Sequence, residues 1–329
     1  MDICIVGGAG YVGLITGLGL AKIGHHVTNV DINQATVKNL QSGKAPFYEV
    51  GIEHLLRESL DSGRIRFTTD LREGVAASGI IFIAVGTPSR EDGQTDLSQV
   101  IQSAEELAPC MDDYKIIVIK STVPVGTVEL IQSIMRREKQ EGRDFDIVSN
   151  PEFLREGNGL RDFFYPDRIV IGASSEKAKA AMHSLYEPVI SGNVKWPESD
   201  TTSPASDPIP VVETDLASAQ MIKYASNAFL ATRISFINQI SGLSRKLGAD
   251  ISEVTRGMGY DPRIGHAYLG SGLGFGGPCL EKDLRGLISL AEANGYEPQV
   301  LKAVWEQNER QIAEAINKLK ELVGYLLYR

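Results

Sequence analysis

A glycine-rich motif near the N-terminus constrains the fold of this chain more than any other feature of its sequence. Gly8, Gly10 and Gly13 form the pattern G-x-G-x-x-G, directly after an apolar, β-branched run and at the start of a helical pattern. Glycines so placed allow a tight turn, the approach of a phosphate to backbone N–H groups, and close packing of the helix on the sheet. The motif therefore predicts a strand–turn–helix unit that binds the pyrophosphate of a dinucleotide at the helix N-terminus.

An acidic residue closes the next predicted strand. Asp31 lies 18 residues after Gly13, where dinucleotide-binding folds place the carboxylate that accepts hydrogen bonds from the adenosine ribose. Its negative charge would repel a 2′-phosphate on that ribose. The sequence therefore predicts NAD as the cofactor in preference to NADP.

The first half of the chain alternates short apolar runs with helical patterns. Strands this apolar are buried on both faces, and the helices between them make crossover connections, so we predict a Rossmann-like, doubly wound parallel sheet. The predicted strands are Ile3–Val6, Val27–Val30, Ile80–Val85, Ile116–Ile119, Asp146–Val148 and Arg168–Ile171.

Two short segments follow the ends of predicted strands. Gly86-Thr87-Pro88 comes after one strand and Ser121-Thr122-Val123-Pro124 after another. The carboxyl ends of strands in such sheets face the ligand crevice, although each segment also fits an ordinary turn.

A long helix follows the predicted sheet. Residues 191–210 are rich in Ser, Thr, Asp and Pro, which predicts a surface loop. Thr214 and Asp215 form an N-cap and first-turn pair, and no proline follows until Pro262, so we predict one helix from there to about Gly248.

The rest of the chain is predicted to be helical. A glycine-rich loop covers residues 265–277, a helix begins near Lys282, and a last helix follows Pro298. We therefore divide the chain into an NAD-binding domain at residues 1–212 and an all-α dimerisation and catalytic domain at residues 213–329.

Composition excludes several classes of function. The 329 residues are 43% hydrophobic and 23% charged, as in globular proteins. A net charge of -9 with no run of five or more like charges gives no surface suited to nucleic acid or an anionic membrane. No apolar span is long enough to cross a membrane and no targeting segment is evident, so we expect a cytoplasmic protein. Cys4, Cys110 and Cys279 are odd in number and lack metal-ligand spacing, which predicts no metal and a reducing compartment.

Two pairs of polar residues are spaced by four positions. Lys223 and Asn227 share one face of the predicted long helix, where an ammonium and an amide can polarise one oxygen. Glu152 and Glu156 offer one carboxylate for positioning and one as a general base. Each pair also fits an ordinary helix surface, so the interpretation rests on their joint occurrence.

A thiol completes the candidate catalytic set. Cys279 follows Gly-Gly-Pro and precedes a helical pattern with Lys282 close by, a setting that favours a reactive thiolate. Asp283 lies four residues later on the same helical face, where it can order a water or take up a proton. A lone cysteine is more often a small buried apolar residue, but rarely within a glycine-rich loop.

These segments resemble the signature motifs of the UDP-glucose/GDP-mannose dehydrogenase family. They are NPEFLREG at residues 150–157, KYASN at residues 223–227 and GFGGPCLEKD at residues 274–283, in the family's order and with similar separations. The sequence KYASNAFLATRISFIN is closer to the UDP-glucose branch than to the GDP-mannose branch. The resemblance covers essentially the whole chain.

The resemblance implies a four-electron oxidation of UDP-glucose to UDP-glucuronate with two NAD+ in succession, in the service of polysaccharide biosynthesis. It implies that Cys279 adds to an intermediate aldehyde as a thiohemiacetal, which is oxidised to a thioester and hydrolysed. Lys223 and Asn227 would stabilise the negative oxygen, Glu156 would shuttle protons, and Asp283 with Thr122 would hold the water. Which group deprotonates the alcohol stays open.

The resemblance also implies the binding residues. The expected NAD contacts are Gly8, Gly10, Tyr11, Val12, Gly13, Asp31, Thr87, Thr122 and Glu156. The expected nucleotide-sugar contacts are Phe153, Leu154, Arg155, Lys223, Asn227, Tyr268 and Gly276, with Arg263 reaching into the partner's site across a homodimer. Glu152 is expected to position catalytic groups.

The chain differs from the family pattern in two respects. The family continues past the last helix into a second nucleotide-binding domain, whereas this sequence ends at Arg329, so we expect that domain to be absent. The loop at residues 196–210 is also longer than the usual connection. Two alternatives therefore stay open: a dehydrogenase of another nucleotide sugar, such as UDP-N-acetylmannosamine, and an NAD-binding dimer without activity.

Overall fold

The structure is a computed structural model that describes residues 1–194, 196 and 208–324. The described residues form two compact units. The first consists of residues 1–87 and the described part of residues 96–223, and the second of residues 88–95 and the described residues from 224 onward. Most of the loop at residues 196–210 lies outside the described residues. The division predicted after residue 212 stays a prediction.

The first unit is built on one eight-stranded sheet. The strands are β1 (Asp2–Val6), β2 (His26–Val30), β3 (Ile65–Thr68), β4 (Ile80–Ile83), β5 (Lys115–Ile119), β6 (Phe145–Ser149), β7 (Ile169–Gly172) and β8 (Val211–Thr214). Their spatial order is β3-β2-β1-β4-β5-β6-β7-β8. The order in which strands are added reverses between β1 and β4, as in a doubly wound fold.

The sheet is mostly parallel, and the six predicted strands are present within a residue or two of their predicted ends. The predicted doubly wound parallel sheet is confirmed, with one antiparallel junction, at which β7 pairs with β6 through Ser149 and Gly172. The sequence pattern missed β3 and β8. Both lie at the edges of the sheet, where a strand needs less apolar sequence, and the side chains of Val212 and Glu213 are exposed.

Helices cover both faces of the sheet. In β1, Ile3 and Ile5 face one buried apolar layer, whereas Cys4 between them faces the other. This alternation explains why the strands read as continuous apolar runs. The helices of this unit are α1 (Tyr11–Lys22), α2 (Gln34–Gln41), α3 (Ile52–Asp61), α4 (Leu71–Ala76), α5 (Ser98–Leu107), α6 (Thr127–Met135), α7 (Gly159–Phe164) and α8 (Glu176–Ile190).

The predicted long helix is α9 (Leu216–Leu247). Its cap is one residue later than predicted, because Thr214 ends β8 and the Asp215 carboxylate accepts the N–H of Ser218 at 2.8 Å. Among the described residues, no helix is long and apolar enough to span a membrane.

The second unit is helical. It contains most of α9, together with α10 (Ile251–Gly259), α11 (Leu280–Ala293) and α12 (Gln299–Val323). The last two were predicted and α10 was not. A small apolar core joins α9, α11 and α12, formed by Ala228, Ala231, Phe275, Leu284 and Val304.

Candidate active site

The glycine motif forms the turn between β1 and α1. The tight turn lies at Gly7, with φ +80°, and not at Gly8 as predicted. Gly8 is instead required by a close approach, since a Cβ there would lie 2.5 Å from the Cβ of Asn29 on β2. The turn therefore needs two adjacent glycines, Gly7 just before the motif and Gly8 within it, for two different reasons.

The N-terminus of α1 is shaped for an anion. A Cβ on Gly13 would lie 2.2 Å from the carbonyl oxygen of Gly7, so helix and strand pack directly backbone on backbone. Gly10 precedes the helix, and an added Cβ there would meet only the Gly7 oxygen at 3.4 Å. No side chain caps the helix, which begins with Tyr11 and Val12. This cradle fits the pyrophosphate of a dinucleotide.

Asp31 is held over the same turn. Its carboxylate accepts the N–H of Ala9 and the N–H of Asn33, each at 3.0 Å. The bond from Ala9 ties Asp31, which directly follows β2, to the glycine turn. In this fold the adenosine ribose of a bound dinucleotide lies at this point. A fixed carboxylate at that point favours a free 2′-hydroxyl over a 2′-phosphate.

Thr87 and Thr122 lie beyond the carboxyl ends of neighbouring strands. Strand β4, which precedes Thr87, pairs in parallel with β5, which precedes Thr122. Ser121 holds the two strand ends together, because its hydroxyl donates to the carbonyl of Val85 at 2.7 Å. The structure therefore brings both threonines to the ligand-binding edge of the sheet.

Glu152 forms a buried ion pair with Lys223. The Lys223 Nζ lies 3.1 Å from the Glu152 Oε1, and Glu152 Oε2 accepts the N–H of Leu154 at 2.5 Å. Residues 151–155 are not helical, so the four-residue spacing does not place Glu152 and Glu156 on one helical face as the prediction implied. Glu152 is buried and Glu156 is exposed.

The three residues after Glu152 have different surroundings. Two cations lie near the Phe153 ring, the Arg168 guanidinium at 3.5 Å and the Lys223 Nζ at 5.3 Å from its centroid. The Leu154 side chain packs against the sheet core. Arg155 is exposed and forms an ion pair with Asp162 at 2.5 Å.

Sequence reasoning missed Glu49, a carboxylate that is only 3% exposed. It accepts the Tyr11 hydroxyl at 2.9 Å and the N–H of Leu160 at 2.9 Å. Burial and this carboxylate raise the pKa of Tyr11 above its ordinary value. The Tyr11 hydroxyl also lies 2.9 Å from the carbonyl oxygen of Arg155. Glu49 and Tyr11 together therefore link the start of α1 to the segment that contains Arg155. No motif in the sequence signals this contact.

In the second unit, Asn227 is paired with Asp283. The Asn227 amide donates to Asp283 Oδ2 at 2.6 Å, and Lys282 lies 2.6 Å from Asp283 Oδ1. Asp283 is only 1% exposed. Lys223 and Asn227, one turn apart on α9, therefore each bind a different carboxylate.

Cys279 has the placement that its sequence predicts. It precedes α11, and its carbonyl accepts the N–H of Asp283 at 2.9 Å, which puts the two residues one turn apart. Its side chain is exposed, whereas Cys4 and Cys110 are buried. Burial raises the pKa of the Cys4 thiol to about 12.

The glycine-rich loop before Cys279 is held by side chains of α9 and α12. Asn308 accepts the N–H of Phe275 at 2.8 Å and donates to its carbonyl at 3.0 Å, and Asn238 accepts the N–H of Gly272 at 2.8 Å. Sequence reasoning missed both asparagines, which carry no motif of their own. Gly276 has open space where a Cβ would be.

Two other predicted substrate residues lie in or beside this loop. Tyr268 adopts φ +59°, and it is the one described non-glycine residue with a positive φ. Such strain persists only where surrounding structure imposes it, and it is common at ligand sites. Arg263 is exposed and pairs with Asp261 of the same chain at 2.7 Å.

A doubly wound sheet with an anion cradle at its first helix and a carboxylate after its second strand is typical of a dinucleotide-binding protein. Residues 1–190 match the NAD-binding domain of the UDP-glucose/GDP-mannose dehydrogenase family, and residues 217–310 match its central domain. The chain belongs to this family of oxidoreductases, and NAD is its cofactor.

Known proteins are similar over nearly the whole chain. The chain is 42% identical to the UDP-glucose 6-dehydrogenases YwqF and TuaD of Bacillus subtilis, with 98% and 96% of its own length covered. A UDP-glucose dehydrogenase structure from Pyrobaculum islandicum superposes with a TM-score of 0.89 at 40% identity, covering 98% of this chain and 72% of that one. The chain spans 69% of YwqF and 65% of TuaD.

Proposed function

We propose that this chain forms the catalytic part of an enzyme that oxidises the primary alcohol of UDP-glucose to a carboxylate. Relatives named UDP-glucose 6-dehydrogenase at 42% identity support this substrate. The observation that carries the proposed chemistry is the exposed Cys279 thiol at the start of α11, in a chain whose other two thiols are buried. NAD+ supplies the acceptor for the hydride that leaves carbon in each of two oxidations.

Residues of the first unit hold the cofactor in this proposal. Gly8, Gly10 and Gly13, with Tyr11 and Val12, bring the start of α1 against its pyrophosphate, and Asp31 accepts hydrogen bonds from the ribose. Thr87, Thr122 and Glu156 complete the proposed contacts.

Cys279 is the proposed nucleophile. Its sulfur adds to the carbonyl carbon of the intermediate aldehyde, so that a C–S bond forms while the carbonyl π bond breaks and its electrons move to oxygen. After the second oxidation the carbon is a thioester, and water adds to it with loss of the thiolate. Asp283 and Thr122 hold this water, and Glu156 transfers protons.

Lys223 and Asn227 are the proposed donors to the oxygen that becomes negatively charged. An ammonium and an amide N–H stabilise such an oxygen most strongly where water is excluded, and both side chains are buried. Glu152 positions Lys223 through the 3.1 Å ion pair. Phe153, Leu154, Arg155, Tyr268 and Gly276 are proposed to contact the nucleotide sugar, with Arg263 acting in the partner of a cytoplasmic homodimer.

The test is substrate-dependent NADH formation across UDP-glucose, UDP-N-acetylmannosamine and GDP-mannose. We expect two NADH per UDP-glucose consumed. Turnover of UDP-N-acetylmannosamine alone would favour the alternative dehydrogenase. If NAD+ binds and no nucleotide sugar yields NADH, the chain is an NAD-binding protein without this activity.

A further inference from the structure

A second lysine is buried near the Glu152–Lys223 pair. Lys120 directly follows β5 and is 8% exposed. Its ammonium donates to Asn150 Oδ1 at 3.0 Å, and the Tyr186 hydroxyl donates to the same oxygen at 2.8 Å. The Asn150 amide in turn donates to the carbonyl of Val170 at 2.7 Å. Asn150 therefore keeps partners on β7 and α8 even without the lysine.

Glu152 and Lys223 both act electrostatically on Lys120. Burial lowers the pKa of Lys120 to about 8, the Glu152 carboxylate raises it, and the Lys223 ammonium lowers it. Tyr186 is a further titratable neighbour: its ring lies 5.8 Å from the ammonium, and burial raises its pKa, so it stays neutral. Two buried lysines therefore lie near one buried carboxylate: Lys223 is in an ion pair with Glu152, and Lys120 is bonded to Asn150, two residues before Glu152.

The fold gains no stability from this lysine near neutral pH. Its pKa is lower in the folded chain than its ordinary value of 10.5. Between about pH 8 and 10.5 the unfolded chain therefore binds more protons than the folded chain, so folding stability rises with pH across that range. Below about pH 8 the folded chain bears the full free-energy cost of burying a protonated Lys120. A buried cation that costs stability and lies beside candidate catalytic groups indicates a functional role.

We propose that Lys120 is a positioning residue that shares the Glu152 carboxylate with Lys223, so that the Lys223 ammonium keeps attraction for an oxygen gaining negative charge. This inference rests on the proposed function, in which Lys223 donates to that oxygen. Lys120 itself acts through Glu152, and through Asn150 at the start of the segment that contains Glu152.

The test compares Lys120→Met and Lys120→Arg with the control Lys115→Met. Lys115 is a buried lysine at the other end of β5, paired with Asp113. We expect Lys120→Met to lower kcat on the order of tenfold, less than the ~10²-fold cost of removing a direct oxyanion donor, with KM for NAD+ unchanged. Lys120→Arg should restore most of kcat, and Lys115→Met should leave it unchanged.

The pH profile separates positioning from packing. The ratio of wild-type kcat to Lys120→Met kcat should be largest below pH 8 and should shrink above it, as Lys120 loses its proton. In Lys120→Arg the advantage should persist to higher pH, because a guanidinium stays charged. A ratio that is constant across this range, or a kcat unchanged by Lys120→Met, would overturn the proposal.

Urea unfolding at neutral pH provides a readout that needs no substrate. We expect Lys120→Met to be as stable as wild type or more so. The double variant with Lys223→Met should be less stable than the sum of the two single changes in the free energy of unfolding predicts, since Glu152 then has neither cation. Additive losses would overturn the shared carboxylate. If no nucleotide sugar is turned over, the proposed function fails. The unfolding measurements on the two single variants and the double variant still decide whether Lys120 and Lys223 share Glu152.

Discussion

The Lys223 ammonium lies 3.1 Å from the Glu152 carboxylate, and both side chains are more than nine-tenths buried. Taking two charges out of water costs several kcal/mol for each ion, which their attraction offsets only with good geometry and further hydrogen bonds. Glu152 has such a bond from the N–H of Leu154. The pair is thus weak evidence for stability, and its location favours a role in positioning Lys223.

Neutralising Glu152 should destabilise the fold strongly. Glu152→Gln leaves buried cations without their carboxylate, and breaking a buried pair costs ~3–5 kcal/mol. The matched control is Glu58→Gln, which breaks an ion pair with Lys22 in which the glutamate is 42% exposed, where the loss should be under ~1 kcal/mol. Urea unfolding measures both, and equal losses would show that the Glu152 pair is effectively solvated.

The cofactor preference follows from Asp31. Isothermal titration should show NAD+ binding at least about tenfold more tightly than NADP+, equivalent to ~1.4 kcal/mol, because the carboxylate repels a 2′-phosphate. Asp31→Asn should reduce this discrimination. Asp70→Asn, at the cap of α4, removes one negative charge elsewhere in the same unit and should leave the ratio unchanged. Equal affinity of the wild type for both cofactors would contradict the assignment.

Thiol labelling should distinguish the three cysteines. Burial raises the pKa of Cys4 to about 12 and leaves it 0% exposed, so almost no thiolate is present or accessible at neutral pH. Cys110 is also buried, whereas Cys279 is exposed. A thiol reagent should therefore modify Cys279 in the folded chain and all three after denaturation, as mass spectrometry of peptides would show. Labelling of Cys4 at a comparable rate in the folded chain would contradict its burial.

Much of the fold was predictable because buried parallel strands leave a strong apolar signal in the sequence. The glycine motif and Asp31 fix the first strand–helix–strand unit, and the absence of proline over residues 216–247 fixes α9. The edge strand β8 was missed because its two middle side chains, Val212 and Glu213, are exposed. The exact turn glycine, Gly7, depends on a backbone angle that G-x-G-x-x-G spacing does not specify.

The site was harder to predict because its contacts are between residues distant in sequence. Lys223 and Asn227 share a helical face, as predicted, but their partners Glu152 and Asp283 come from different parts of the chain. Glu49 and Lys120 carry no motif, and only their burial reveals them. The roles of the candidate site residues stay predictions.

An apolar stripe on α9 predicts self-association. Phe229, Phe236, Leu243 and Leu247 recur at helical spacing and are 48–74% exposed. A stripe of this kind is typical of a helix that packs against a second copy. Sedimentation at micromolar concentration should give a dimer, and Phe229→Glu with Phe236→Glu should give a monomer. The control Leu130→Glu replaces an exposed leucine of α6 and should stay dimeric, whereas a monomeric wild type would contradict the prediction.

The last prediction concerns the order of the chemistry and rests on Cys279. Removal of the first hydride from an alcohol needs no thiol, whereas the second oxidation requires the tetrahedral carbon that a thiohemiacetal supplies. Cys279→Ser and Cys279→Ala should therefore almost abolish net NADH formation from UDP-glucose and leave NAD+ affinity near normal. Wild-type turnover should release two NADH per UDP-glucuronate, with a covalent sugar on Cys279 detected by mass spectrometry after rapid acid quenching. The control Cys110→Ala removes a buried thiol and should keep full turnover. If Cys279→Ala produced the carboxylate at the wild-type rate, the covalent mechanism would be wrong.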